Sequence, residues 1–136
     1  MDGMEGQEVR MRLAVVEGEL GVARLEADAP VPAWAWQGAL SSVTRTGQEL
    51  SVVCGLDAIP SDVQAERGFR CLRVEGPLDF SLTGVLASIA GPLAEAQVSL
   101  FAVSTYDTDY ILVAGRSLGR AIDCLRAAGH EVSGGI

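Results

Sequence analysis

Lysine is missing from this sequence: all ten basic side chains among its 136 residues are arginine. That excludes a Schiff-base lysine, a phosphate-loop lysine and a lysine general base at one stroke. Histidine occurs once, as His130, and the three cysteines, Cys54, Cys71 and Cys124, are widely spaced in apolar contexts with no C-x-x-C pair. A zinc site would need three distant segments to converge, so the spacing speaks for buried, reduced thiols in a reducing compartment. Positive charge is scarce, because ten arginines face eighteen acidic residues for a formal net charge of −8. Such a surface repels phosphate, which argues against nucleic acid and anionic membranes and leaves room for a small cationic or zwitterionic ligand. No apolar run approaches the ~20 residues needed to span a bilayer. The opening MDGMEGQEVRMR is acidic and lacks the apolar region of a signal peptide. The expected location is the cytoplasm.

What the chain does have is apolar residues, 49% of the total, in short runs separated by glycine and proline. Residues 1–8 read as a polar tail. VRMRLAVVEG and ELGVARLEAD read as two strands joined near Gly18 and Glu19. PVPAWAW (30–36) allows no more than a helical turn, with Trp34 and Trp36 as lids over the core or an interface. ALSSVTRT and ELSVVCG, separated by Gly47 and Gln48, have the character of a β-hairpin. In IPSDVQAER, Ser61 precedes Gln64 by three residues and predicts a capped helical turn.

From Gly68 onward the periodicities are sharper. FRCLRVEG alternates as a strand does, GPLDF is a turn, and SLTGVLASIAGPLAEA places Leu82, Val85, Leu86, Ile89 and Leu93 at helical spacing. Gly91-Pro92 should kink or end that helix near Ala90, with a weak resumption beyond. QVSLFAVS and YILVAG are strands around the connector TYDTD. RSLGRAIDCLRAAG is an amphipathic helix with Leu118, Ala121, Ile122 and Leu125 inward, and HEV is a short last strand. The order strand, helix, strand, strand, helix, strand is the ferredoxin-like unit, an antiparallel sheet backed by two helices. The expected fold is therefore α+β, two tandem βαββαβ units: a trimmed, strand-rich one over 9–67 and a complete one over 68–133. Each alone, at about 65 residues, would be marginal, and two together would be far better buried.

The stretches DFSLTGVLASIAGPLAE (79–95) and FAVSTYDTDYILV (101–113) resemble the ACT-domain family, in particular small tandem-ACT proteins related to the arginine-sensing ones. Thr83-Gly84-Val85-Leu86 occupies the place of the family's entry into the first helix, with Thr83 where many members have proline. The resemblance covers nearly all of residues 10–132. It implies non-catalytic regulation by a small molecule, usually an amino acid, bound between two ACT units packed side by side. Most members are fused to enzymes or transport regulators; this chain shows no such domain, and the expectation is a homodimer whose regulated enzyme, not named by the sequence, is a separate protein.

Two elements carry the chemistry. Gly84, at the first turn of a helix, would offer unpaired backbone N–H groups and the positive end of the helix dipole to a carboxylate. Asp79 before it is a cap or a ligand contact, and Phe80, Leu82 and Thr83 complete that side of the candidate site. Opposite in sign, Asp107 and Asp109 could accept an ammonium or guanidinium group, with Ser104, Thr105 and Thr108 adding neutral partners. Other readings stand beside these. Gly84 could simply let helix and sheet approach, and the aspartates could bond their own backbone in an Asx turn. The D-x-D pair could hold Mg²⁺ or Mn²⁺, although one pair without further acids is thin. Ser104 has no base nearer in sequence than His130, so neither a catalytic centre nor a cofactor is expected. The competing function is a ligand-free ACT-fold module for oligomerisation or docking.

Overall fold

The computed structural model describes residues 9–76, 78 and 84–134. Two compact units emerge, one from residues up to Val15 together with Leu72 onward, the other Val16–Cys71.

In the larger unit the sheet order is β7 (Glu131–Ser133), the start of β1 (Arg12–Leu25), the end of β4 (Ala65–Val74), β6 (Asp109–Ala114) and β5 (Phe101–Ser104). β5 and β6 pair antiparallel, with Phe101 opposite Leu112 and Ser104 opposite Asp109. β7 pairs parallel to β1, Leu13 opposite Val132. The position beside β4 therefore belongs to a strand from the other end of the sequence, tied there by the Glu75 N–H donating to the Arg12 carbonyl at 2.8 Å. α1 (Val85–Glu95) and α2 (Leu118–Ala127) supply the other layer. Val85, Ile89 and Leu93 of α1, and Leu118, Ala121, Ile122 and Leu125 of α2, are buried with Leu72, Val74, Ile111 and Val113 of the sheet. Each fully buried Leu or Ile contributes roughly 1.5–3 kcal/mol. Leu86, expected to face inward, is 38% exposed, and Leu82 lies outside the described residues.

The first helix does not end at Ala90. It runs through Gly91 and Pro92 to Glu95. A proline inside a helix leaves the carbonyl four residues earlier without its N–H partner, and here that carbonyl belongs to Ser88. It is met by His130 Nε2 at 2.9 Å. The same ring takes the Met11 N–H on Nδ1 at 3.0 Å. A backbone N–H can only donate, so Nδ1 is the acceptor and Nε2 carries the hydrogen. The single histidine, 5% exposed, thus completes the helix and fastens it to Met11, the residue before β1.

At its C-terminus α1 closes in a Schellman turn: Val98 N–H donates to the Leu93 carbonyl at 2.8 Å and Gln97 N–H to that of Ala94 at 3.0 Å. Gln97 holds the left-handed position, φ 60°, which glycine usually fills. This turn takes residues expected to open a strand, so β5 begins only at Phe101. Gln97→Gly is expected to raise stability by roughly 0.5–1 kcal/mol, read as a higher urea midpoint at unchanged slope.

The smaller unit orders its strands β2 (Ser42–Arg45), β3 (Leu50–Gly55), β1 and β4. The expected hairpin is present, with Val43 opposite Val52. Its turn is held by the Thr46 hydroxyl oxygen, which accepts the N–H groups of Gln48 and Glu49, each at 3.1 Å. β1 corrects the reading of two strands joined at Gly18 and Glu19: it is one strand of 14 residues, with Gly18 at φ 91° inside it. Short 3₁₀ turns at Ala33–Trp36 and Leu56–Ala58 replace long helices and cover Ala23, Leu50, Val52 and Cys54. Trp34 packs against that cluster, whereas Trp36 is 62% exposed.

The capped helical turn expected over 59–67 is absent. The chain makes a turn closed by Val63 N–H to the Pro60 carbonyl at 3.2 Å and enters β4 at Ala65. Arg67 reaches back and donates to the carbonyls of Ile59, Pro60 and Val63. Those acceptors are satisfied by a guanidinium instead of by helical N–H groups.

Candidate ligand site at the β5–β6 turn

The connector STYDTDY forms a tight two-residue loop. Thr105 N–H donates to the Thr108 carbonyl at 2.8 Å, and the Thr105 hydroxyl both donates to that carbonyl at 3.0 Å and accepts the Thr108 N–H at 3.2 Å. It is therefore threonine, and not an aspartate, that bonds the turn's own backbone. The Asx reading gives way because a hydroxyl is both donor and acceptor, whereas a carboxylate only accepts. Thr108 is buried and its hydroxyl donates to the Val74 carbonyl at 2.5 Å, locking the turn to the end of β4. From the same strand end the chain returns past the turn: the Leu78 N–H donates to the Asp107 carbonyl at 2.8 Å. A Cβ on Gly76 would lie 3.0 Å from that carbonyl oxygen.

With the backbone so committed, the two carboxylates differ. Asp109 Oδ1 accepts the Ser104 hydroxyl at 2.6 Å, a charge-assisted bond across the last strand pair. The Asp107 side chain is exposed at the tip beside Tyr106, which is 82% exposed. Gly84, where the segment leaving β4 enters α1, has φ 83° and no side-chain cap. The Ser88 N–H donates to its carbonyl at 2.9 Å. The N–H groups of Val85, Leu86 and Ala87, in the first helical turn, have no such intrahelical acceptor. Gly84 also approaches Val9, whose Cγ2 would lie 3.5 Å from a Cβ there. Asp79, Phe80, Leu82 and Thr83 lie outside the described residues. Of the expected site, the structure thus describes Gly84, Ser104, Thr105, Asp107, Thr108 and Asp109. Sequence reasoning missed Gly76 and Leu78, which bind the loop to the turn; the Gly76-Pro77 pair was the only available signal.

Among the described residues no group of three or more His, Cys, Asp or Glu could hold a metal ion. No helix there is long and apolar enough to cross a membrane. Burial pushes the Cys54 thiol up from its ordinary range, and desolvation does the same to Cys124. Both thiols are held away from the reactive thiolate form.

A family model described as "ACT domain" matches residues 64–127, and a second, for an N-terminal domain, matches 18–62. Residues 64–127 belong to the ACT-domain family. The fold of the chain is the ferredoxin-like ACT fold, seen also in the aspartate kinase regulatory subunit of Thermus thermophilus. That protein superposes with a TM-score of 0.63 at 9% identity over 89% of this chain and 99% of that one, a likeness of fold alone. An Agrobacterium tumefaciens protein of known structure is 41% identical, with a TM-score of 0.87 over 92% of this ACT chain and 93% of that one. The mouse "Cytosolic arginine sensor for mTORC1 subunit 1" is 32% identical over 111 residues, 71% of this chain and 34% of that protein. The ACT chain thus spans about a third of the length of that relative.

Proposed function

We propose that the chain is a non-catalytic regulatory protein of tandem ACT type that binds an amino acid or a related small metabolite in the cytoplasm. The observation that carries this reading is the division of labour in the β5–β6 turn. Threonines satisfy the backbone there, and the Asp107 carboxylate is left exposed on a rigid support. The loop tied to the same turn leads into the uncapped start of α1. An ammonium or guanidinium group fits Asp107, with Ser104, Thr105 and Asp109 as polar neighbours, and a carboxylate fits the N–H groups after Gly84. Asp79, Phe80, Leu82 and Thr83 are proposed to complete that contact. The protein acts as a homodimer and hands its signal to a separate enzyme or regulator. Since the mouse relative is named for arginine, arginine is the first probe.

A melting screen against the common amino acids tests this. A ligand bound only by the native state adds RT ln(1 + [L]/Kd), about 2.7 kcal/mol at a hundredfold excess over Kd. One or a few amino acids should raise Tm, and Asp107→Asn should abolish the rise while leaving the ligand-free Tm unchanged. Asp109→Asn keeps an oxygen for the Ser104 hydroxyl and should weaken binding less. A flat screen at millimolar ligand favours the docking module instead, for which the exposed Tyr106 and Trp36 are the natural anchors.

A further inference from the structure

Tryptophan is seldom left in water, because its large ring stabilises a fold strongly when buried. In the smaller unit Trp34 packs against the core and Ala35 is fully buried, yet Trp36 stands 62% exposed. Val31, on the same segment, is the other large apolar side chain exposed in this unit among the described residues. The backbone under Trp36 is nevertheless held firmly. Pro30 and Pro32 fix φ on the way in. The Ala35 N–H donates to the Pro32 carbonyl at 3.0 Å, and the Ser41 hydroxyl donates to the Ala35 carbonyl at 2.9 Å. Immediately after the ring, the Gln37 carbonyl accepts the Gly55 N–H at 2.8 Å. The indole is thus presented on a backbone bonded on both sides of it, so little ordering entropy is lost when a partner stacks there.

Charge says what that partner carries. Val16–Cys71 holds eight acidic residues and four arginines, so half of the chain's formal charge of −8 lies in this unit. Three of those arginines turn their donors to carbonyl oxygens: Arg24 to Gln48, Arg45 to Ala27 and Ala29, and Arg67 to Ile59, Pro60 and Val63. Asp57, two residues beyond Gly55, is exposed. Gly38 packs against Gly55, which brings the strand end leading to Asp57 beside the chain just past Trp36. The face of an indole attracts cations, and a weakly hydrated, planar guanidinium stacks on it better than an ammonium does.

We infer that Trp36 anchors a docking surface for a basic segment of a partner protein, with an arginine stacked on the indole and Asp57 meeting a neighbouring cation. Nucleic acid and acidic partners are repelled by the same charge. The surface lies wholly within the smaller unit, and the inference is independent of whether an amino acid binds at the β5–β6 turn.

Fluorescence anisotropy of a labelled oligoarginine peptide, titrated with the full chain at low salt, tests it. The wild type should bind, and a labelled oligoglutamate should not. Trp36→Ala should weaken binding at least about tenfold with an unchanged melt. Trp36→Phe should keep most of the affinity, and Asp57→Asn should lower it severalfold. Asp107→Asn should leave it as it was. Trp36→Leu retains apolar bulk without a ring face and should bind as weakly as the alanine variant; it decides if Trp36→Ala melts lower. Absence of binding, or wild-type affinity in Trp36→Leu, would overturn the inference, the latter by showing general charge attraction only. Loss of binding in Asp107→Asn would overturn it too, by placing the peptide at the β5–β6 turn. A flat amino-acid screen with this binding intact counts against the ligand reading only.

Discussion

His130→Ala should lower stability by about 3 kcal/mol, on the order of 10 °C in Tm. Among the described residues the imidazole is the partner of two backbone groups, the Met11 N–H and the Ser88 carbonyl. Leaving a buried polar group unpaired costs about 1–3 kcal/mol, and the packing of a ring that is 5% exposed is lost as well. The origin of the effect can be isolated, because the Ser88 carbonyl is orphaned only by the proline four residues on. In the His130→Ala background, Pro92→Ala returns an N–H to that carbonyl. It should therefore recover about 1 kcal/mol more there than it gains in the wild-type chain. Urea denaturation of the four proteins measures that coupling. Strict additivity would show that the ring stabilises by packing and not by completing the helix.

Gly38→Ala should be comparably damaging in the smaller unit, at least about 3 kcal/mol. Gly38 has φ 108°, a conformation costly for any L side chain. A Cβ there would lie 2.4 Å from the Gly55 nitrogen and 2.7 Å from its Cα. Those are backbone atoms, so no side-chain rotation relieves the overlap. The chain would have to move apart and surrender the 2.8 Å bond from the Gly55 N–H to the Gln37 carbonyl. Both tryptophans of the chain, Trp34 and Trp36, are close in sequence and in this unit. Their fluorescence therefore reports on it selectively, and the tryptophan transition should shift to lower urea. An unchanged midpoint would mean that the crossing of Gly38 over Gly55 is looser than the structure has it.

The ACT fold was legible from the second half of the sequence because its helices obey one periodicity. α2 buries the four positions that the spacing names, and α1 buries Val85, Ile89 and Leu93 as read. The hairpin of β2 and β3 was equally plain from its turn residues. The failures share one cause, a partner far away in sequence. Pro92 predicts a helix end unless His130 is known to meet the Ser88 carbonyl from 42 residues further on. Ser61 and Gln64 suggest a helical turn unless Arg67 is known to fold back onto the carbonyls of 59–63. Gly18 reads as a joint because nothing local reveals that β3 pairs with β1 from Leu20 onward. At the candidate site, the position of the turn between two strands was legible in the sequence, but how its hydroxyls are apportioned was not. That Thr105 takes the backbone while Ser104 takes Asp109 depends on the strand register.

β1 also bears on how the chain comes into being. Its first residues, Arg12–Ala14, find their parallel partners in Glu131–Ser133, and Met11 reaches His130 across 119 residues of sequence. Such distant pairings are slow to form. On the ribosome, β1 leaves the exit long before β7 exists, so its N-terminal part must wait unpaired while its C-terminal part can already join β3. The smaller unit can therefore mature during synthesis. The larger one is sealed only when β7, made after every other strand of its sheet, returns to β1.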